Sequence, residues 1–241
     1  MKTYTRTADE EIYVKKRYER PKEAFKQIGT LLHLSDKTNK SARKSVLDIG
    51  CATGELLYYL RTINLNIILC GIEYSKKLVE RSRSFLARQA IKVSVGDAER
   101  ISCKNSQFDF VISSGVTSIF DDFRPSFEEM IRVAKSSGVC LNLMMLNELP
   151  IDVIIKYVHP KTGELESGWN KFSMHSIDNF LQEHPQVKKH TFVKHTMPFD
   201  IPRTKDLMRS WTVKDKNGKR ILWNGLNMEI SIYHVLFEVQ K

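Results

Sequence analysis

An acid, a glycine-framed turn and a helix start follow one another in Asp48-Ile49-Gly50-Cys51-Ala52-Thr53-Gly54, which leads into Glu55-Leu56-Leu57-Tyr58-Tyr59-Leu60. A strand that turns into a helix leaves backbone N–H groups free at the helix N-terminus. Glycine has no Cβ, so the backbone can approach a ligand closely. A cofactor bearing a carboxylate or phosphate fits such a turn. Asp48 adds a negative charge that suits a cationic group and repels a diphosphate. A dinucleotide site would use G-x-G-x-x-G, whereas Gly50 and Gly54 are four apart and no third glycine follows.

Three further stretches end apolar runs with polar residues. Glu73, in Gly71-Ile72-Glu73-Tyr74-Ser75, offers two acceptor oxygens to a pair of vicinal ribose hydroxyls. Asp97, in Val95-Gly96-Asp97-Ala98, can accept from an adenine amino group while the Ala98 N–H donates to a ring nitrogen. Ser113-Ser114-Gly115 closes a fourth run with small residues that leave room for a flat ligand. In an open parallel sheet the ligand lies above the C-terminal strand ends where the strand order reverses. Asp48, Glu73, Asp97 and Ser113 would all reach that crevice.

In this order the set resembles the successive motifs of the class I S-adenosylmethionine (SAM) methyltransferases, whose first motif is D/E-x-G-x-G-x-G. Gly50 and Gly54 match the outer glycines, and Ala52 stands in the place of the middle one. The helix Phe127 to Lys135 and the turn Ser136-Ser137-Gly138 match the segment before that family's fifth strand. The resemblance covers residues 40–147. It implies an α/β fold, a Rossmann-like seven-stranded mostly parallel sheet with helices on both faces. It implies SAM as cofactor and S-adenosylhomocysteine as product. It also implies Asp48, Gly50, Ala52 and Gly54 around the methionine part, Glu73 on the ribose with Tyr74 packed nearby, and Asp97 with Ala98 on adenine. Tyr13 and Arg17, on an N-terminal helical stretch, are placed to close over the cofactor carboxylate.

The elements that must position these residues can be read from hydrophobic spacing. Strands are expected at 45–49, 67–72, 91–95, 108–113 and 139–145, separated by helices near 54–63, 75–88 and 125–136. Short apolar strands alternating with helical patterns mark a parallel sheet covered on both faces. Residues 10–33 carry apolar side chains at helical spacing, with Pro21 at a helix start or kink. Beyond Pro150 the pattern changes. A turn at His159 to Gly163 is followed by a helix near 174–183 and a strand at 188–197. Trp211 to Val213 and Ile221 to Trp223 flank Asn217-Gly218, a strong hairpin signal, and Ser231 to Val239 forms the last strand. The expected organisation is one domain: an N-terminal helical cap (1–45), a SAM-binding core (46–147), substrate-cap insertions within the fold including a β-hairpin (148–230), and a final strand (231–241).

Composition narrows the class. A chain of 241 residues can bury one large core. No apolar run approaches the ~20 residues that span a bilayer, and the opening residues lack the apolar core of a secretion signal. Cys51, Cys70, Cys103 and Cys140 are widely spaced, with no C-x-x-C, so neither a zinc site nor a disulfide frame is expected and a reducing cytoplasm fits. The net charge is +10, distributed as +6 over residues 1–45, 0 over 46–150 and +4 over 151–241. A basic rim around a neutral core favours an anionic partner such as RNA or a nucleotide-linked substrate, or else simply keeps the surface solvated.

Methyl transfer asks a protein to align the reactants, exclude water and, where needed, take a proton. His159 and His175 are the base candidates, because both flank the segment expected to cover the site. His234 alternates with apolar residues and reads as a core or sheet-face residue. The amino-methylation motif Asn/Asp-Pro-Pro-Tyr is absent after the fourth strand, and no Pro-Cys pair marks a covalent cysteine. The expected activity is methyl transfer from SAM to O or N of a small or nucleotide-linked metabolite, with surface-polysaccharide synthesis as one setting. The alternatives are an RNA methyltransferase and a non-catalytic SAM-fold binding module.

Overall fold

The computed structural model describes residues 5–6, 13, 18–34, 43–158, 163–205 and 209–241. Its centre is a sheet of seven strands in one row, to which the two-residue strand Phe172–Ser173 adds an eighth beside Leu146 and Asn147. In chain order the strands are β2 (Lys44–Ile49), β3 (Ile67–Glu73), β4 (Ile91–Val95), β5 (Phe108–Ser114), β6 (Ala134–Asn147), β10 (Val187–Lys194) and β14 (Ile232–Val239). Their spatial order is β10-β14-β6-β5-β2-β3-β4. Neighbours from β4 to β6 pair in parallel, while β14 runs antiparallel to both β6 and β10. The expected seven-stranded, mostly parallel sheet is therefore present. The order reverses between β2 and β5, so the crevice opens above their C-terminal ends.

Helices α1 (Glu23–Leu31), α2 (Glu55–Ile63), α3 (Lys76–Arg88), α4 (Arg124–Val133) and α5 (Met174–Glu183) complete the layers. One apolar cluster joins Phe25 and Ile28 to Leu56, Leu57, Leu60 and Leu86. The other packs Phe123, Phe127, Phe172 and Phe237 with Ile177 and Leu181. Phe123 meets Phe127 and Phe172 edge-on at ring separations of 5.3 and 5.1 Å. With both sheet faces covered, Val46, Leu47 and Ile49 are all buried, which explains why β2 reads as a continuous apolar run rather than an alternating one.

Several boundaries differ from those read in sequence. The helix expected at 125–136 ends at Val133, and β6 already begins at Ala134. Ser136-Ser137-Gly138 lies inside that strand as a bulge, between the pairs Phe108–Ala134 and Phe110–Val139. Between residues 18 and 34 only α1 is helical, two residues beyond Pro21. The Asn217-Gly218 hairpin is real, but its loop is wider than a two-residue turn. The last pair of β11 (Trp211–Lys214) and β12 (Arg220–Trp223) is Lys214–Arg220, and the Asp215 carboxylate accepts from the Asn217 and Lys219 N–H groups at 2.8 Å each. A third short strand, β13 (Glu229–Ile230), pairs with β12.

Because α5 and β10 belong to the central layers, the residues outside them form two insertions, 148–173 and 195–230. The first carries β7 (Lys156–Val158), β8 (Leu165–Ser167) and β9 (Phe172–Ser173); β1 (Thr5–Arg6) pairs in parallel with β8. Among the described residues, no helix is long and apolar enough to cross a membrane.

Candidate functional site

The turn after β2 is stitched to the end of β3. Gly50 and Cys51 N–H groups donate to the Ile72 carbonyl at 2.8 and 3.0 Å. The Ala52 N–H donates to Glu73 Oε2 at 2.9 Å, and the Ser75 N–H donates to Glu73 Oε1 at 2.8 Å. Glu73 thus shapes the turn as well as facing the cleft. Each of its oxygens keeps a second lone pair for another donor. Gly50, Ala52 and Gly54 all have positive φ, at 69°, 48° and 78°. Ala52 therefore holds a conformation that glycine adopts without strain, and its methyl lies on the cleft wall. The Cβ that Gly54 lacks would fall 2.5 Å from Leu86 Cδ1, so this glycine is required by packing under α2 rather than by contact with the cleft.

Above these turns lies a cleft of about 970 Å³. Asp48, Glu73 and Asp97 line it from the ends of β2, β3 and the segment after β4, together with Gly50, Ala52, Tyr74 and Ala98. Seven strand-end expectations and Tyr13 are brought together in this way. Asp48 is 2% exposed and accepts no hydrogen bond among the described residues, and burial followed by the nearby Glu73 charge holds its carboxyl well above the usual range. Lys22 works against that shift and also lies 3.8 Å from Glu55. Asp97 Oδ1 accepts from the Glu99 N–H at 3.0 Å. The Cys51 thiol is buried beside Asp48 and Glu73, and burial above all raises it, so it stays protonated.

Ser113 corrects one expectation. It is buried in β5 opposite Asn142, and Ser114 and Gly115 line the cleft in its place, because successive strand residues point to opposite faces. His175 corrects another. It is exposed on α5, bonded at 3.1 Å to Asn179 one turn away, and does not line the cleft. His159 and Arg17 lie outside the described residues. The Tyr13 carbonyl accepts from Thr53 Oγ1 at 3.2 Å, which ties the N-terminal segment to the turn. His234 is fully buried as a core residue, 2.9 Å from Gln27 Oε1. Sequence reading missed Lys22, Phe25, Ser118, Met145, Trp169 and Arg209, all of which line the cleft. Their loops and β6 come together only in three dimensions, and no local spacing signals it.

The model of a methyltransferase domain family matches residues 47–142. That stretch holds the glycine turn, the three carboxylates and the strand reversal above which the cleft opens. Residues 47–142 form a class I SAM-dependent methyltransferase domain. SAM is the cofactor of this domain type, and the donor set fits it. A buried carboxylate that accepts no hydrogen bond among the described residues suits a cationic group, Glu73 keeps acceptor capacity beyond its two turn contacts, and glycine and alanine leave space over the turn. The chain is 33% identical over 113 residues to the demethylmenaquinone methyltransferase of Leptospira interrogans, covering 44% of this chain and 45% of that protein. It is 28% identical over 114 residues to the malonyl-[acyl-carrier protein] O-methyltransferase of Acetivibrio thermocellus, covering 47% and 40%. The chain thus spans less than half the length of these relatives. The fold itself is shared over more of the chain. The YcgJ protein of Bacillus subtilis superposes with a TM-score of 0.58 at 16% identity, over 89% of this chain and 99% of that one.

Proposed function

We propose that the protein moves a methyl group from SAM to an oxygen or nitrogen of a small metabolite. The observation that carries this reading is the row of carboxylates Asp48, Glu73 and Asp97 along one cleft at the reversal of strand order. When bound, SAM supplies a methyl group activated by the sulfonium, whose sulfur keeps the bonding electron pair and leaves as a neutral thioether. The residues of the chain bind and orient. Asp48 offers its unpaired carboxylate to a cationic group, and Lys22 places a compensating charge on the N-terminal side. Glu73 accepts from ribose hydroxyls through its remaining lone pairs. Asp97 and the Ala98 N–H read the adenine edge. Tyr13 and Tyr74 line the cofactor side of the cleft and exclude water there, which strengthens each of these interactions.

A nucleotide-linked acceptor rests on the positive charge outside residues 46–150, of which Lys22 and Arg209 line the cleft. The same holds for surface-polysaccharide synthesis. SAM or S-adenosylhomocysteine at saturation should raise the melting temperature, because a ligand that binds only the native state stabilises it. Asp97→Ala should weaken that binding about tenfold, equivalent to ~1.4 kcal/mol, with the fold intact. Wild-type affinity in this variant would remove the adenine assignment. A thermal shift without methyl transfer to any fraction of a cell extract would favour a non-catalytic binding module.

A further inference from the structure

Trp169 has φ of 63° and is the largest non-glycine residue with positive φ among those described. A bulky side chain in this region is a true outlier, and such strain persists only where the surroundings over-determine it. Here both flanks are pinned. Asn170 is fully buried: its N–H donates to the Ser118 carbonyl at 2.8 Å, its Nδ2 to the Phe120 carbonyl at 2.6 Å, and its Oδ1 accepts from the Ile155 N–H at 2.7 Å. On the other side Ser167 is also fully buried, and its Oγ lies 2.8 Å from both Asp121 Oδ1 and Lys156 Nζ. Between two buried neighbours that hold the backbone, Trp169 alone is half-exposed, and it lines the cleft.

Its surroundings define one end of that cleft. Asp48, Glu73 and Asp97 stand over β2, β3 and the segment after β4. Met144, Met145 and Ile232 line it from β6 and β14, at the far side of β5, together with Phe120 and Ile230. From β3 to β14 is four strand spacings, roughly 19 Å, so the cleft has a polar end for the cofactor and a separate apolar end. A sugar ring set against Met144, Met145 and Ile232 would leave polar groups without partners. A flat apolar ring would stack on the indole.

We propose that Trp169 is the specificity-determining wall of the acceptor end, and that the methyl acceptor carries its oxygen or nitrogen on an aromatic ring. This rests on the methyltransferase reading above and adds the substrate class. The strained backbone makes the test decisive. Glycine adopts a φ of 63° freely, so Trp169→Gly removes the ring while relieving strain, and Trp169→Phe retains an aromatic face. The probe is 2-naphthol, titrated calorimetrically into protein saturated with S-adenosylhomocysteine. Wild type should bind it. Trp169→Gly should lose tenfold or more in affinity for the naphthol, with S-adenosylhomocysteine affinity within twofold and a melting temperature no lower than wild type. Trp169→Phe should stay within about threefold of wild type. The proposal is overturned if wild type saturated with S-adenosylhomocysteine does not bind 2-naphthol. It is equally overturned if Trp169→Gly binds it as well as wild type, or if a sugar nucleotide or short RNA, rather than the naphthol, loses affinity in that variant. Failure of S-adenosylhomocysteine itself to bind would instead remove the methyltransferase reading, so the two failures are distinct.

Discussion

Gly50→Ala perturbs the turn after β2 by an amount that follows from its contact with Val116. The added Cβ would lie 2.2 Å from Val116 Cγ2, at a residue with φ of 69°. Placing an alanine in the left-handed region costs about 1–2 kcal/mol. Forcing one methyl into a filled contact costs about 1–3 kcal/mol, and the lost freedom of the unfolded chain returns ~0.4–1 kcal/mol. The sum is a destabilisation of about 2–4 kcal/mol, and at roughly 2–4 °C per kcal/mol for a chain of this size the melting point falls by about 5–15 °C. Val116→Ala removes the clashing methyl but leaves the backbone strain. The double variant should therefore be more stable than the sum of the single effects by about 1–3 kcal/mol, the overpacking share. Urea unfolding of the four proteins measures this coupling. Additivity within ~0.5 kcal/mol would refute the claim that Gly50 is required by close approach to Val116. Gly50 and Val116 both line the cleft, so S-adenosylhomocysteine affinity should fall in Gly50→Ala and partly recover in the double variant.

Ala52→Gly relaxes a left-handed alanine and should raise stability by up to about 1 kcal/mol; a lower urea midpoint would contradict the strain assigned to Ala52. Asp48 is held above the ordinary carboxylate range by burial and then by Glu73, so the folded state keeps its proton to higher pH than the unfolded chain and stability is lost as pH rises through that window. Asp48→Asn should remove this slope and be more stable than wild type at pH 8 while binding S-adenosylhomocysteine more weakly, and an Asn variant less stable at pH 8 would sink the argument. His234 is pushed down from 6.5 to about 4, by burial first and then by His195, and both rings share the Gln27 carbonyl oxygen at 2.9 and 2.7 Å. The unfolded chain binds this proton near pH 6.5 and the folded one only near 4, so stability should fall by about 3 kcal/mol between those values. His234→Gln should show a shallower acid slope in urea titrations, and an unchanged slope would place the acid sensitivity elsewhere.

Much of the site was legible because its residues are local. The acid-glycine turn, Glu73, Asp97 and the alternation of strand and helix all lie within short windows, and a period of two or 3.6 residues is a property of the chain itself. The sequence alone therefore determined the α/β class, the row of carboxylates and the glycine-framed turn beside them. Two kinds of feature escaped it. The first is facing: whether Ser113 or Ser114 looks into the cleft depends on the strand's rotation in the sheet, which neighbouring residues with similar side chains do not encode. The second is assembly. Only the tertiary structure decided that β6, β14, the loop after β5 and the insertion holding Trp169 close one end of the same cleft, because the farthest of these segments lie more than a hundred residues apart and all meet through a sheet order unrelated to their order in the chain. It also showed that Glu73 shapes the turn at Ala52 through a hydrogen bond between residues 21 positions apart. A contact of that kind stabilises the folded state without leaving any periodic trace in the sequence.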